Sequence, residues 1–273
     1  AMSGRDGTMD ETMQRSAGPR RRSKAPLPKS IDLERTALLL DVDGTLLDIA
    51  KTPDGVVVPS SLRATLQDLL TLTGGAVALV SGRTIDTLDG LFRPLKLPCI
   101  GAHGAEMRLR PDGAVTKRHP PEISEAIRER LYALSALDPR LLVEDKLHSI
   151  AVHYRLALHH ESFLEKEIAA AVADEPGDEI EVLPGKAVIE IKPSRFNKGT
   201  AVLDLMGLAP FLGRKPLFIG DDVTDEAVFA ILPQLGGLGF SVGRDMPGAH
   251  GVIPSPEHVR TWLAALAAAG RAK

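Results

Sequence analysis

The stretch Leu38-Leu39-Leu40-Asp41-Val42-Asp43-Gly44-Thr45-Leu46 decides how this chain is read. A short apolar run without polar alternation marks a strand covered on both faces. The run ends in two carboxylates at alternate positions, which on an extended backbone point to the same side. Gly44 permits a sharp exit from the strand. An Asp-Gly pair alone would mark only an acidic turn. Two acids closing a buried strand instead mark a ligand site, because open α/β sheets bind at the carboxyl ends of their strands. Like charges this close raise one another's pKa unless a cation lies between them. Asp41 and Asp43 are therefore candidates for a nucleophile, a proton donor and a metal ligand.

The same rhythm continues on both sides of this stretch. Apolar runs at Ala76–Val80, Pro98–Ile100, Leu217–Ile219 and Leu238–Val242 alternate with helical patterns at Ser60–Leu72, Thr84–Leu91, Lys198–Leu208, Thr224–Leu232 and Glu257–Ala269. Alternation of this kind predicts an α/β fold with a doubly wound parallel sheet. The middle of the chain differs. In Ser149–Leu156, Ile150, Val152, Tyr154 and Leu156 share one face, and in Lys186–Lys192, Ala187, Ile189 and Ile191 do. Period-two alternation predicts a half-exposed antiparallel sheet, with helices at Ile123–Leu137 and Glu161–Ala173 over its apolar side. The expected organisation is a basic disordered tail over residues 1–30, a catalytic core over 31–108 and 194–273, and an inserted α/β cap over 109–193.

A second acidic cluster, Gly220-Asp221-Asp222-Val223-Thr224-Asp225-Glu226, sits where another apolar run gives way to a helix. Acids are favourable in a first helical turn, which accounts for Glu226. Four acids in six residues exceed what capping needs. Hard oxygen donors of this kind suit Mg²⁺, which keeps several of its waters. Ser81, after another buried strand, offers a hydroxyl to a phosphoryl oxygen. Lys198, in Asn197-Lys198-Gly199, opens a helix whose free N–H groups attract anions. Each would be unremarkable singly, as a helix cap and a solvated lysine. Their weight comes from sharing strand-end geometry with the two acid clusters.

Composition narrows the classes. The 273 residues are 44% hydrophobic and 25% charged, with a formal net charge of −3. Residues 1–30 hold seven basic and three acidic side chains, so the remainder carries −7. An acidic body argues against nucleic acid as a partner. The single cysteine, Cys99, excludes an intrachain disulfide framework and fits a reducing, cytoplasmic compartment. No apolar run approaches the length of a membrane helix, no secretory signal follows Arg20-Arg21-Arg22, and a monomer is expected. With 7 Phe, 2 Tyr and 1 Trp, the core must be aliphatic.

Asp41 and Asp43 with Gly44 and Thr45, Ser81, Lys198, and Gly220-Asp221-Asp222 with Asp225 together resemble the haloacid dehalogenase superfamily of phosphatases, over essentially all of residues 35–270. Further strings, Val80-Ser81-Gly82-Arg83, Gly101-Ala102-His103-Gly104-Ala105-Glu106, Val152-His153-Tyr154-Arg155 and Gly185-Lys186 with Glu190, are similar to the trehalose-6-phosphate phosphatase family. The resemblance implies an enzyme that hydrolyses a sugar phosphate, trehalose 6-phosphate, through an aspartyl-phosphate on Asp41. Asp43 would be the acid and base, and Mg²⁺ would be held by the Asp41 and Asp221 side chains and the Asp43 backbone oxygen. Asp222 and Asp225 would orient ligands and water. It also implies the larger type of cap, with Glu144, Lys146, Arg155, Lys186 and Glu190 on the sugar and Arg83 and His103 at the core–cap boundary. Another sugar-phosphate phosphatase of the superfamily, or a non-catalytic sugar-phosphate-binding module, remains an alternative.

Overall fold

The computed structural model describes residues 24–49, 56–119, 122–145, 149–174, 180–185, 187–193 and 197–272. Among the described residues, twelve strands in two sheets are accompanied by seven α-helices. The larger sheet is built around β1 (Thr36–Leu40), whose neighbours are β2 (Val77–Val80) and β10 (Lys215–Gly220). β3 (Cys99–Gly101) extends it beyond β2, and β11 (Leu238–Val242) and β12 (Gly251–Ile253) extend it beyond β10. These six strands are parallel.

The sheet is covered on both faces, as its unbroken apolar strands require. Leu38 and Leu40 pack into one cluster with side chains of α1 (Ser60–Leu72), α2 (Ile85–Phe92) and α7 (Pro256–Arg271). Ala37 and Leu39 point the other way, into a cluster with α5 (Lys198–Met206) and α6 (Glu226–Ile231). Aromatics are few but well used there: Phe218 and Phe229 meet edge to face, with centroids 5.2 Å apart. Such a pair contributes about 0.5–1.5 kcal/mol beyond its buried area.

Two segments differ in detail from the expected organisation. β4 (Glu106–Arg108) and β5 (Thr116–Lys117) add two antiparallel strands to the large sheet beyond β3. The larger sheet therefore runs to Lys117, past the expected start of the insert at residue 109. Such short strands are too brief to show a period. Residues 1–23 of the expected tail lie outside the described residues, but 24–30 run along the body. The Ala25 N–H donates to the His250 carbonyl, Leu27 packs on the core, and Trp262 Nε1 donates to the Pro28 carbonyl at 2.9 Å. A single leucine and two backbone anchors suffice to fix this segment.

The second sheet is antiparallel, in the order β6 (Leu142–Asp145), β7 (Ile150–His153), β9 (Val188–Pro193), β8 (Ile180–Gly185). Ile150, Val152, Ile189 and Ile191 pack under α3 (Glu125–Ser135) and α4 (Glu161–Ala173). The expected inner face holds as far as Tyr154, which is buried and donates to Glu161 Oε1 at 2.8 Å. Leu156 does not share it, being 74% exposed, because the strand ends at His153 and the chain turns. Among the described residues, no helix is long and apolar enough to cross a membrane.

One buried ion pair ties α2 to the edge of the large sheet. Arg108, 3% exposed, donates from both Nη atoms to Asp89 and from Nε and Nη2 to the Leu97 carbonyl. The Arg108 hydrogen bonds hold the Asp89 carboxyl below its ordinary range. Asp89→Asn is expected to cost about 2–3 kcal/mol at pH 7, since it leaves a buried guanidinium short of its counter-charge. A depressed carboxyl contributes stability above its unfolded pKa and loses it as pH falls through the folded value. The difference between wild type and variant in urea unfolding therefore shrinks below about pH 4.

Candidate active site

Asp41, Ser81 and Asp221 each follow directly from the carboxyl end of a parallel strand, β1, β2 and β10. The chain leaves β1 towards β2 and β3 on one side and later returns to β10, β11 and β12 on the other. β1 is thus the topological switch point, where diverging connections open a crevice.

In that crevice Lys198, at the first turn of α5, is 3% exposed. Its Nζ donates to Asp41 Oδ1 at 3.0 Å and to Asp225 Oδ1 at 2.7 Å. Lys198 is therefore a buried ammonium shared between two acids rather than a solvated lysine. Asp225 is fully buried and also accepts the Asp221 and Asp222 backbone N–H groups at 3.0 Å. Asp221 accepts from Thr45 Oγ1 at 3.1 Å. Thr45, fully buried, had no role assigned from the sequence, although it lies within the decisive stretch. Gly44 has φ +79°, and a Cβ there would lie 2.1 Å from Asp221 Oδ2. Only glycine both turns the chain and leaves room for that carboxylate.

The electrostatics follow from burial. Loss of water pushes Asp41 up to about 7, against the pull of Lys198 and with a push from Asp221. Burial and the Asp41 charge raise Asp225 to about 6. Burial also raises Asp221. Burial opposes the Lys198 charge, yet Asp41 and Asp225 outweigh it and hold the amine above its usual range. Carboxylate oxygens of Asp41, Asp221 and Asp225 lie within 4.8 Å of one another. Fully ionised, these three acids exceed the single lysine by two charges. Hard oxygen donors with a deficit of that size fit a divalent cation such as Mg²⁺.

The other predicted residues fall into three groups. Asp43 is clamped by Arg83, with Nε to Oδ2 at 2.6 Å and Nη2 to Oδ1 at 2.8 Å. Arg83 was expected at the core–cap boundary, and its pairing with Asp43, forty residues away in sequence, leaves no local signal. Ser81 is buried, its Oγ accepting the Arg83 N–H at 3.1 Å and its carbonyl accepting the His103 N–H at 3.1 Å. Asp222 stays outside the acid cluster: it caps its own turn and accepts from Thr224 Oγ1.

Glu144, Arg155 and Glu190 belong to the second sheet. Glu144, Ala151 and Glu190 form one cross-strand row. Glu144 contacts His153 Nε2 at 3.1 Å, a partner the sequence reading left without a role. Arg155 lies past the end of β7, lining a cleft of about 480 Å³ with Arg140, Leu142 and His153. Lys146 and Lys186 lie outside the described residues. Burial holds the His103 imidazole below its ordinary range, and the charges of Lys198 and of Lys192 of β9 push it the same way.

The pattern of the trehalose-phosphatase family matches residues 39–251, which span every strand of both sheets except β1's first residues and the last residues of β12. A probable trehalose-phosphate phosphatase of Sinorhizobium fredii is 46% identical over 87% of this chain and 90% of its own length. The trehalose-6-phosphate phosphatase of Escherichia coli is 37% identical over 87% of this chain and 89% of its own. The fold is that of the Aspergillus fumigatus trehalose-6-phosphate phosphatase structure, with TM-score 0.73 and 24% identity over 90% of this chain and all of that one. The chain belongs to the trehalose-phosphatase family.

Proposed function

We propose that this protein hydrolyses trehalose 6-phosphate to trehalose and phosphate, as a step of trehalose biosynthesis. The observation that carries this reading is the buried Asp41–Lys198–Asp225 group beside Asp221 at the switch point. Asp41 attacks phosphorus, the bond from phosphorus to the sugar oxygen breaks, and an aspartyl-phosphate forms. A carboxylate nucleophile divides one difficult displacement into two easier ones. Asp43 gives a proton to the departing sugar oxygen and later takes one from the water that releases phosphate. Acid–base assistance of this kind contributes about 10²–10⁴-fold. Both Asp43 oxygens are engaged by Arg83, so this pair must open before Asp43 can serve as donor. Ser81 and Lys198 hold the phosphoryl oxygens, since phosphoryl transfer depends mainly on positioning and charge stabilisation.

The divalent site comprises the Asp41 and Asp221 side chains and the Asp43 carbonyl, with Asp225 steadying Asp221 and Lys198. Mg²⁺ bound there would offset the charge of the phosphoryl group.

The second sheet, with its helices, acts as a cap over residues 119–193, inserted in a core of 31–118 and 197–272. Its open face supplies hydrogen-bond partners for sugar hydroxyls. Glu144 and Glu190 stand two strands apart, about 10 Å, with the small Ala151 between them. Arg155 adds donors beside that face, and the family resemblance adds Lys146 and Lys186 as sugar contacts. Closure over the core would exclude water and commit the substrate.

Four measurements test these roles. Phosphate release from a panel of sugar phosphates is expected to favour trehalose 6-phosphate; a flat profile would assign the cap to another sugar. Asp41→Asn is expected to remove turnover, by at least about 10³-fold, without loss of fold by circular dichroism. Chelation by EDTA is expected to abolish release and Mg²⁺ to restore it. Glu190→Ala is expected to weaken turnover of the disaccharide phosphate by about tenfold while sparing p-nitrophenyl phosphate; equal losses on both would place Glu190 outside the sugar site.

A further inference from the structure

The loop after β3 is strained where it meets the loop after β2. Ala102 and His103 both have left-handed backbones, φ +48° and +55°. Two successive L-residues in that region are strained, because each Cβ crowds the neighbouring carbonyl oxygen. The strain is held by hydrogen bonds on either side: the Ala102 N–H donates to the Arg83 carbonyl at 2.7 Å, and the His103 N–H to the Ser81 carbonyl at 3.1 Å. This geometry lays the His103 imidazole over Gly82. A Cβ on Gly82 would stand 2.4 Å from Cε1 and 2.5 Å from Nε2 of that ring, well inside contact distance. The ring rests where a side chain of residue 82 would begin, next to Ser81 and within reach of the charges of Lys198 and Lys192.

We infer that Gly82 is a positioning residue: its missing side chain is the seat that aims the His103 ring at the bound sugar phosphate, and the left-handed Ala102–His103 turn presses the ring into it. The inference rests on the proposed phosphatase reading for the ligand, but its steric part does not. Neither neighbour can yield instead. The His103 backbone is pinned to Ser81 and the Ala102 backbone to Arg83, so a methyl group on residue 82 displaces the ring by rotation about its own side-chain bonds. The functional consequence is confined to a contact with substrate, while Asp41, Lys198 and the acid cluster keep their places.

Four proteins decide it: wild type, Gly82→Ala, His103→Gly and the double variant, assayed for phosphate release from trehalose 6-phosphate with Mg²⁺. Each single variant is expected to lower kcat/KM about tenfold, the worth of one substrate hydrogen bond, mainly through KM. The double variant is expected to match His103→Gly, because the methyl group then occupies space the ring has vacated. Wild-type kinetics for Gly82→Ala, or losses that multiply in the double variant, overturn the inference. If Gly82→Ala does not fold, a folded double variant with the kinetics of His103→Gly supports it, and failure of both to fold overturns it. If wild type releases no phosphate from trehalose 6-phosphate, the functional reading fails. The seat is then decided by NMR: the His103 ring resonance, identified by its loss in His103→Gly, moves in Gly82→Ala if the ring is displaced, and an unmoved resonance overturns the inference.

Discussion

Lys198 is the only cation among the described residues in direct contact with the buried acids at the end of β1, and the rest of the molecule is arranged to make that contact possible. Burying an ion costs several kcal/mol even after relaxation, and removing one partner of a buried pair leaves the other uncompensated. The large sheet and the helices on its two faces supply the apolar burial that offsets this cost. The acids outnumber the lysine, so the arrangement is left poised for additional positive charge. A fold that buries two carboxyls around one ammonium, with a third beside them, is built for a ligand rather than for its own stability.

Topology explains why residues so distant in sequence converge. Asp41, Ser81 and Asp221 share the carboxyl edge because β10, β1 and β2 are parallel and adjacent. Lys198 arrives from the start of the helix that follows the inserted sheet, and Asp225 from the turn after β10. The large sheet thus fixes the charges of the site.

Much of this was legible in the residues. Unbroken apolar runs located β1, β2, β3, β10 and β11, and the carboxylates that closed two of them located the site. α4 was bounded correctly because its charged and apolar residues repeat at helical spacing. What escaped reading was of two kinds. β4, β5 and β12 are two or three residues long, too short for a period. Pairings across the fold, such as Arg83 with Asp43 and Thr45 with Asp221, depend on which strand ends become neighbours. The strand ending at His153 likewise depends on where its partner β9 begins, so Leu156 continued an alternation that the sheet does not.

The open face of the second sheet carries a charge pattern with a consequence for the proposed reaction. Glu144 and Glu190 lie in one row, and Lys192 is paired with Glu181 at 3.3 Å. A phosphoryl group placed against the two glutamates would meet like charge, whereas sugar hydroxyls donate hydrogen bonds to carboxylates readily. The core offers the reverse: Lys198, the Ser81 hydroxyl and a site suited to Mg²⁺. Orientation is then selected by repulsion as much as by attraction. With few aromatic rings in the chain, discrimination on the proposed reading would rest on hydrogen bonds and charge, and a substrate inverted between the two sheets would be rejected at both ends.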